Sequence, residues 1–92
     1  MKSIMTKISD YCYICGRPAQ HVHHVFYGTA NRRLSEKYGL KVPLCEACHT
    51  GPRGVHFNRE LDLQLKRMGQ ATFKRVYPHE DFVEIFGRHY LQ

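Results

Sequence analysis

The chain has 92 residues, a formal charge of +6 before any of its seven histidines is counted, and a pI near 9.4. That length gives one small domain whose apolar core alone yields marginal stability. No stretch approaches the roughly 18 apolar residues of a membrane span, and the basic balance favours a polyanionic partner, most simply nucleic acid.

Residues 1–10 read as a flexible lead-in in which Ile4, Met5 and Ile8 offer packing contacts; residues 11–92 read as the domain. A first knuckle, Cys12-Tyr13-Ile14-Cys15, ends at Gly16, whose freedom to take positive φ suits a tight turn. The stretch 20–26 alternates partly and is rich in β-branched residues, which predicts a strand ended by Gly28. A short helix is expected over 31–38, with Asn31 as N-cap and Gly39 at its end.

A second strand is expected over 40–44, with Pro43 confining it to a sheet edge or its own end. The second knuckle, Cys45-Glu46-Ala47-Cys48, follows at once and is succeeded by His49; two glycines and a proline then make 50–54 a loop. From Val55 the pattern turns helical. Phe57, Leu61, Leu65 and Met68 recur at helical spacing, and Gly69 is expected to stop the helix. A second short helix is expected near 71–77 and a third from Pro78, with Glu80 and Asp81 in its first turn and Phe82, Val83, Ile85 and Phe86 packing back on the domain.

All four cysteines fall into the two Cys-x-x-Cys pairs, separated by 29 residues. This spacing suits tetrahedral thiolate coordination of zinc by Cys12, Cys15, Cys45 and Cys48. Two disulfides would use the same count, but the opening residues lack the apolar run of a secretory signal. A reducing cytoplasm, where thiolates stay free for zinc, is the expected compartment. Four thiolates close a structural site and leave no position for substrate.

The histidines are then surplus. On a strand, His23 and His24 point to opposite faces, so one can serve a metal and the other a reacting water. Hydrolysis at phosphate needs that division: a divalent cation to stabilise developing charge, and a base titrating near neutrality. Taken singly, each histidine is more simply a surface or supporting group; four beside zinc knuckles favour chemistry. Arg32, Arg33 and Lys37 lie together between the knuckles and suggest a phosphate-facing patch, with solvated surface arginines as the plainer reading.

The order Cys12-x-x-Cys15, His23-His24-Val25, Leu44-Cys45-x-x-Cys48-His49 resembles the zinc-knuckle-bearing form of the HNH, or ββα-metal, endonuclease family. The resemblance covers residues 11 to about 58, and the run from Asn31 to Ser35 and the tail look similar to small phage-borne, recombination-associated members. It implies an α+β fold: a small ββα-metal core with a structural zinc knuckle and additional C-terminal helices. It also implies His24 as general base, His23 and His49 as ligands of a catalytic cation, and His56 as the last histidine, on metal or scissile phosphate.

Where the family carries an asparagine that orients the base, this chain has Leu40; Asn31, Asn58 or a backbone carbonyl are the candidate substitutes. The implied activity is DNA phosphodiester hydrolysis with Mg²⁺ or another divalent cation, leaving 5′ phosphates. Arg32, Arg33 and Arg53 are the candidate phosphate contacts, and sequence preference is expected to be weak. A partner protein or a homodimer would help so small a domain grip both strands, and no membrane association is expected. The alternative is a zinc-stabilised nucleic-acid-binding or adaptor module without catalysis.

Overall fold

A computed structural model describes residues 2–91. The elements run β1 (His21–His24), α1 (Thr29–Tyr38), β2 (Lys41–Leu44), α2 (Glu46–His49), α3 (Arg59–Val76) and α4 (Phe82–Phe86). The fold is a small mixed α/β one in which β1 and β2 form a two-stranded antiparallel sheet. Their register pairs His21 with Leu44, Val22 with Pro43, His23 with Val42 and His24 with Lys41. With only two strands both are edges, so Pro43 costs the ladder little; its carbonyl instead accepts from the Tyr13 N–H. Among the described residues no helix is long and apolar enough to cross a membrane.

The first knuckle closes as a turn in which the Cys12 N–H donates to Arg17 O and the Gly16 N–H to Cys12 O, with Gly16 at φ 78°. Ahead of it, the segment read as a lead-in lies against the body of the domain. Ile4 donates its N–H to Gly39 O, and Ile4 and Met5 pack on the core.

Strand β1 is shorter than the expected 20–26. Past His24 the chain turns inward, so that Val25 and Phe26 are buried in the core and Ser35 clamps the turn. The Ser35 hydroxyl donates to Phe26 O and accepts from the Phe26 N–H, which fixes α1 beside the end of β1. Asn31 is not the N-cap: α1 starts earlier, after Gly28, and Asn31 lies inside it with its amide directed at Phe86 O. The far end of α1 is as expected, with Gly39 in the left-handed region at φ 74°.

The largest departure is α3. It starts at Arg59 rather than Val55, because the Asn58 side chain caps it by accepting from the Leu61 N–H. It then runs through Gly69 to Val76 and absorbs the separate helix expected over 71–77. Gly69 is a point of close approach, not a stop: a Cβ there would lie 3.0 Å from Cε2 of the buried Phe26 ring. The inward stripe is therefore Leu65, Gly69 and Phe73, while Phe57 and Met68 are exposed.

Helix α4 starts after Asp81, which accepts from the Glu84 N–H, so Pro78 and Glu80 belong to the preceding turn. Phe82 and Phe86 enter the core beside Phe26 and Phe73, whereas Val83 faces solvent. Gln70, fully buried on α3, accepts from the N–H groups of Tyr90 and Leu91 and ties down the tail.

Candidate active site

Among the described residues, two groups of side chains could hold a metal ion. The four cysteines are free thiols whose sulfurs all lie within 4.8 Å of one another. Cys15 and Cys45 place their Sγ atoms 3.6 Å apart. Zinc–sulfur bonds of about 2.3 Å in a tetrahedron set neighbouring sulfurs about 3.8 Å apart, so this set could hold one structural zinc ion. Cys45 caps α2 through its Sγ, which accepts from the Cys48 N–H. Burial pushes the Cys12 thiol up, but N–H groups of Cys15, Cys45 and Ile14 outweigh it and bring the thiol down to about 6. Burial and the neighbouring thiols push Cys48 the other way.

The second cluster is His23, His49 and His56, whose ring nitrogens likewise lie within 4.8 Å of one another. Each arrives from a different element. His23 comes from the inward face of β1, His49 from the last residue of α2, and His56 from the loop before α3. Consecutive helical residues are turned about 100° apart, so Cys48 can face the thiols while His49 faces the imidazoles.

The loop that brings in His56 folds tightly onto α2. Val55 donates to Cys48 O and His56 to His49 O, and a Cβ on Gly54 would meet His49 backbone at 2.8 Å. Only glycine fits at that crossing.

Three observations bear on how the imidazole trio could hold a cation. His49 and His56 bring their Nε2 atoms to 3.1 Å, within the roughly 2.9–3.4 Å spacing of two nitrogens on one ion at metal–nitrogen bonds of 2.0–2.1 Å. His23 is 2% exposed, yet its buried Nε2 has no hydrogen-bond partner among the described residues. Burial, and then the proximity of His49 and His56, pushes His23 down to about 3, so its ring is neutral and able to donate a lone pair. His49 is lowered too, by burial first and then by the proximity of His56 and His21.

Sequence reasoning passed over His21. Its Nδ1 lies 2.9 Å from His49 Nδ1, and when His49 Nδ1–H donates to His21 the His49 Nε2 lone pair faces His56. The two-residue period of a strand puts His21 on the face of His23, and that was the available signal.

The trio and His24 line one cleft of about 270 Å³, together with Val22, Tyr27 and Arg32. Tyr27 packs its ring against His56, with centroids 5.0 Å apart, and carries Lys66 over its face. His24 is held by Glu36, whose Oε1 lies 2.8 Å from His24 Nε2. Bonds from Lys41 first and His24 second pull Glu36 down to about 2. Neither candidate asparagine reaches His24: Asn31 points to Phe86 O and Asn58 caps α3. Leu40 is fully buried in the core.

Arg32 and Arg33 line an adjoining cleft of about 460 Å³ with His24, Thr29, Glu36 and Lys37; Arg53 is exposed on its loop and lines neither. A hollow of about 430 Å³ near His79, Glu80, Asp81 and His89 contains no ligand cluster among the described residues.

Among curated proteins the chain is similar to a mitochondrial DNA mismatch repair protein mutS homolog of Sarcophyton glaucum, with 29% identity over 82 residues. The match takes in 84% of this chain but 7% of the length of that relative. No protein-family model matches the chain, and no solved structure matches it.

Proposed function

We propose that the chain is a zinc-stapled ββα-metal endonuclease of the HNH type that hydrolyses DNA phosphodiester bonds. The observation that carries this reading is the convergence of His23, His49 and His56 on one point of a cleft whose wall holds His24. The partial similarity to a DNA mismatch repair protein and the basic balance of the chain support DNA as the polyanion.

In this reading Cys12, Cys15, Cys45 and Cys48 would hold zinc as scaffold, and the imidazole trio would hold a divalent cation, its nitrogen donors suiting a borderline ion such as Ni²⁺ or Mn²⁺ better than the hard Mg²⁺. That cation, when bound, supplies charge stabilisation at the scissile phosphate and the leaving oxygen. His24 accepts the proton of the attacking water on Nδ1, because Nε2 is engaged by Glu36. Arg32, at the junction of the two clefts, anchors a neighbouring phosphate, and Arg33 and Lys37 extend the track along α1. His56 is exposed and stands at the mouth of the cleft, so it can exchange cation for phosphate contact.

Nicking of supercoiled plasmid in Mg²⁺, Mn²⁺ or Ni²⁺ tests the reading. Wild type is expected to cut and His24→Ala to fall by about 10²-fold or more while keeping its zinc. Wild type that binds DNA but never cuts with any of the three cations would leave a zinc-stabilised binding module instead.

A further inference from the structure

His24 and Lys41 are direct cross-strand partners on β1 and β2, and one carboxylate from a third element spans both. Glu36 places Oε1 2.8 Å from His24 Nε2 and Oε2 2.5 Å from Lys41 Nζ. The residue before it, Ser35, clamps α1 to both backbone groups of Phe26, so the helix register that delivers Glu36 is itself fixed. Lys41 is fully buried, and the His24 side chain is 13% exposed. A buried lysine needs a partner, and Glu36 supplies it.

An ionised carboxylate only accepts hydrogen bonds. Bound to Glu36, His24 Nε2 must therefore carry a proton, and in the neutral ring this leaves the lone pair on Nδ1. We propose that Glu36 is the positioning residue for His24, fixing its ring and its Nε2–H tautomer so that Nδ1 is the proton acceptor, with Lys41 anchoring the carboxylate from behind. The role usually given to an amide side chain is thus taken by a carboxylate from α1. This inference rests on the nuclease reading above. With its two carboxylate oxygens engaged by His24 and Lys41, Glu36 acts through His24.

The test uses the full chain in a Lys41→Met background, so that removing Glu36 leaves no buried ammonium without a partner. Plasmid nicking rates and thermal midpoints are measured for Lys41→Met, Glu36→Ala/Lys41→Met and Glu36→Gln/Lys41→Met. The expected result is a kcat lower by about tenfold or more in the alanine variant, with KM not raised. The glutamine variant, whose amide oxygen still accepts from Nε2–H, is expected to return to within about threefold of its parent. Nitrogen-15 shifts of the His24 ring should report Nε2–H in the parent and glutamine variants and a tautomer mixture in the alanine variant.

Equal kcat in all three variants overturns the positioning role while the nuclease reading stands. An equal loss in the alanine and glutamine variants overturns it too, since hydrogen-bond acceptance would then not matter. A wild type silent with every cation overturns the nuclease reading and this inference together.

Discussion

His21 Nδ1 lies 2.9 Å from His49 Nδ1, and this contact turns the opposite nitrogen of His49 toward His56 at 3.1 Å. A ring held on one side presents its other side in a defined direction, and outer partners of this kind typically contribute 10–100-fold to metal affinity. His21→Ala is therefore expected to weaken Mn²⁺ or Ni²⁺ binding by about tenfold or more. Zinc held by the thiols should be unaffected. Calorimetric titration of the zinc-loaded variant checks this, and unchanged affinity would remove His21 from the site.

The thiol cluster and the fold should stand or fall together. The domain is small, and its knuckles tie the start of β1 to the end of β2. Cys45→Ser is expected to lose zinc and melt without a cooperative transition, because Cys45 both belongs to the sulfur cluster and caps α2. A thiol-reactive dye should find few accessible thiols in the zinc-loaded native protein and all four cysteines after denaturation with chelator.

Gly69→Ala sets two effects against each other. Alanine favours a helix interior by about 1 kcal/mol, but the added methyl meets the Phe26 ring at 3.0 Å. Phe26 is 1% exposed and wedged against Phe82 and Phe86, so it has little room to yield. Overpacking of this kind costs about 1–3 kcal/mol, and a net loss in thermal stability is the expected outcome. A more stable variant would show that the ring moves freely.

Asp62 and Lys66, one turn apart on α3, form a mostly buried pair at 2.8 Å beside Tyr27. Lys66→Met leaves a buried carboxylate alone and is expected to destabilise by about 2 kcal/mol or more. Asp62→Asn/Lys66→Met should recover much of that loss. Denaturant titration of the single and double variants separates the two, and additive losses would deny the coupling.

Arg32 borders both clefts whereas Arg53 borders neither. Arg32→Ala should weaken DNA binding and lower the slope of log K against log salt by about one phosphate's worth. Arg53→Ala should change both less. Binding isotherms at several salt concentrations provide the comparison, and equal effects would place the DNA elsewhere.

What could be read from the chain alone was whatever local spacing encodes. Each Cys-x-x-Cys knuckle, the adjacent His23 and His24, the Cys48-His49 pair and the Gly39 helix end follow from residues a few positions apart. What could not be read depends on how elements pack. Gly69 follows the local rule for a helix stop, and only the arrival of Phe26 from 43 positions away makes it a helix interior. Asn31 is an apt cap by type, yet α1 begins where Ser35 can grip Phe26. The Glu36 bond to His24 spans 12 positions and exists only once α1 lies along β1. His21 was legible in principle, because strand alternation sets it beside His23.

The account depends on two metal centres of different chemistry in one small domain, so cation stoichiometry tests it most directly. Zinc-loaded wild type titrated calorimetrically with Ni²⁺ or Mn²⁺ should bind one further ion, and His23→Ala or His49→Ala should abolish that binding without releasing zinc. A protein that takes up no second ion, or binds one equally well without these two imidazoles, would contradict it.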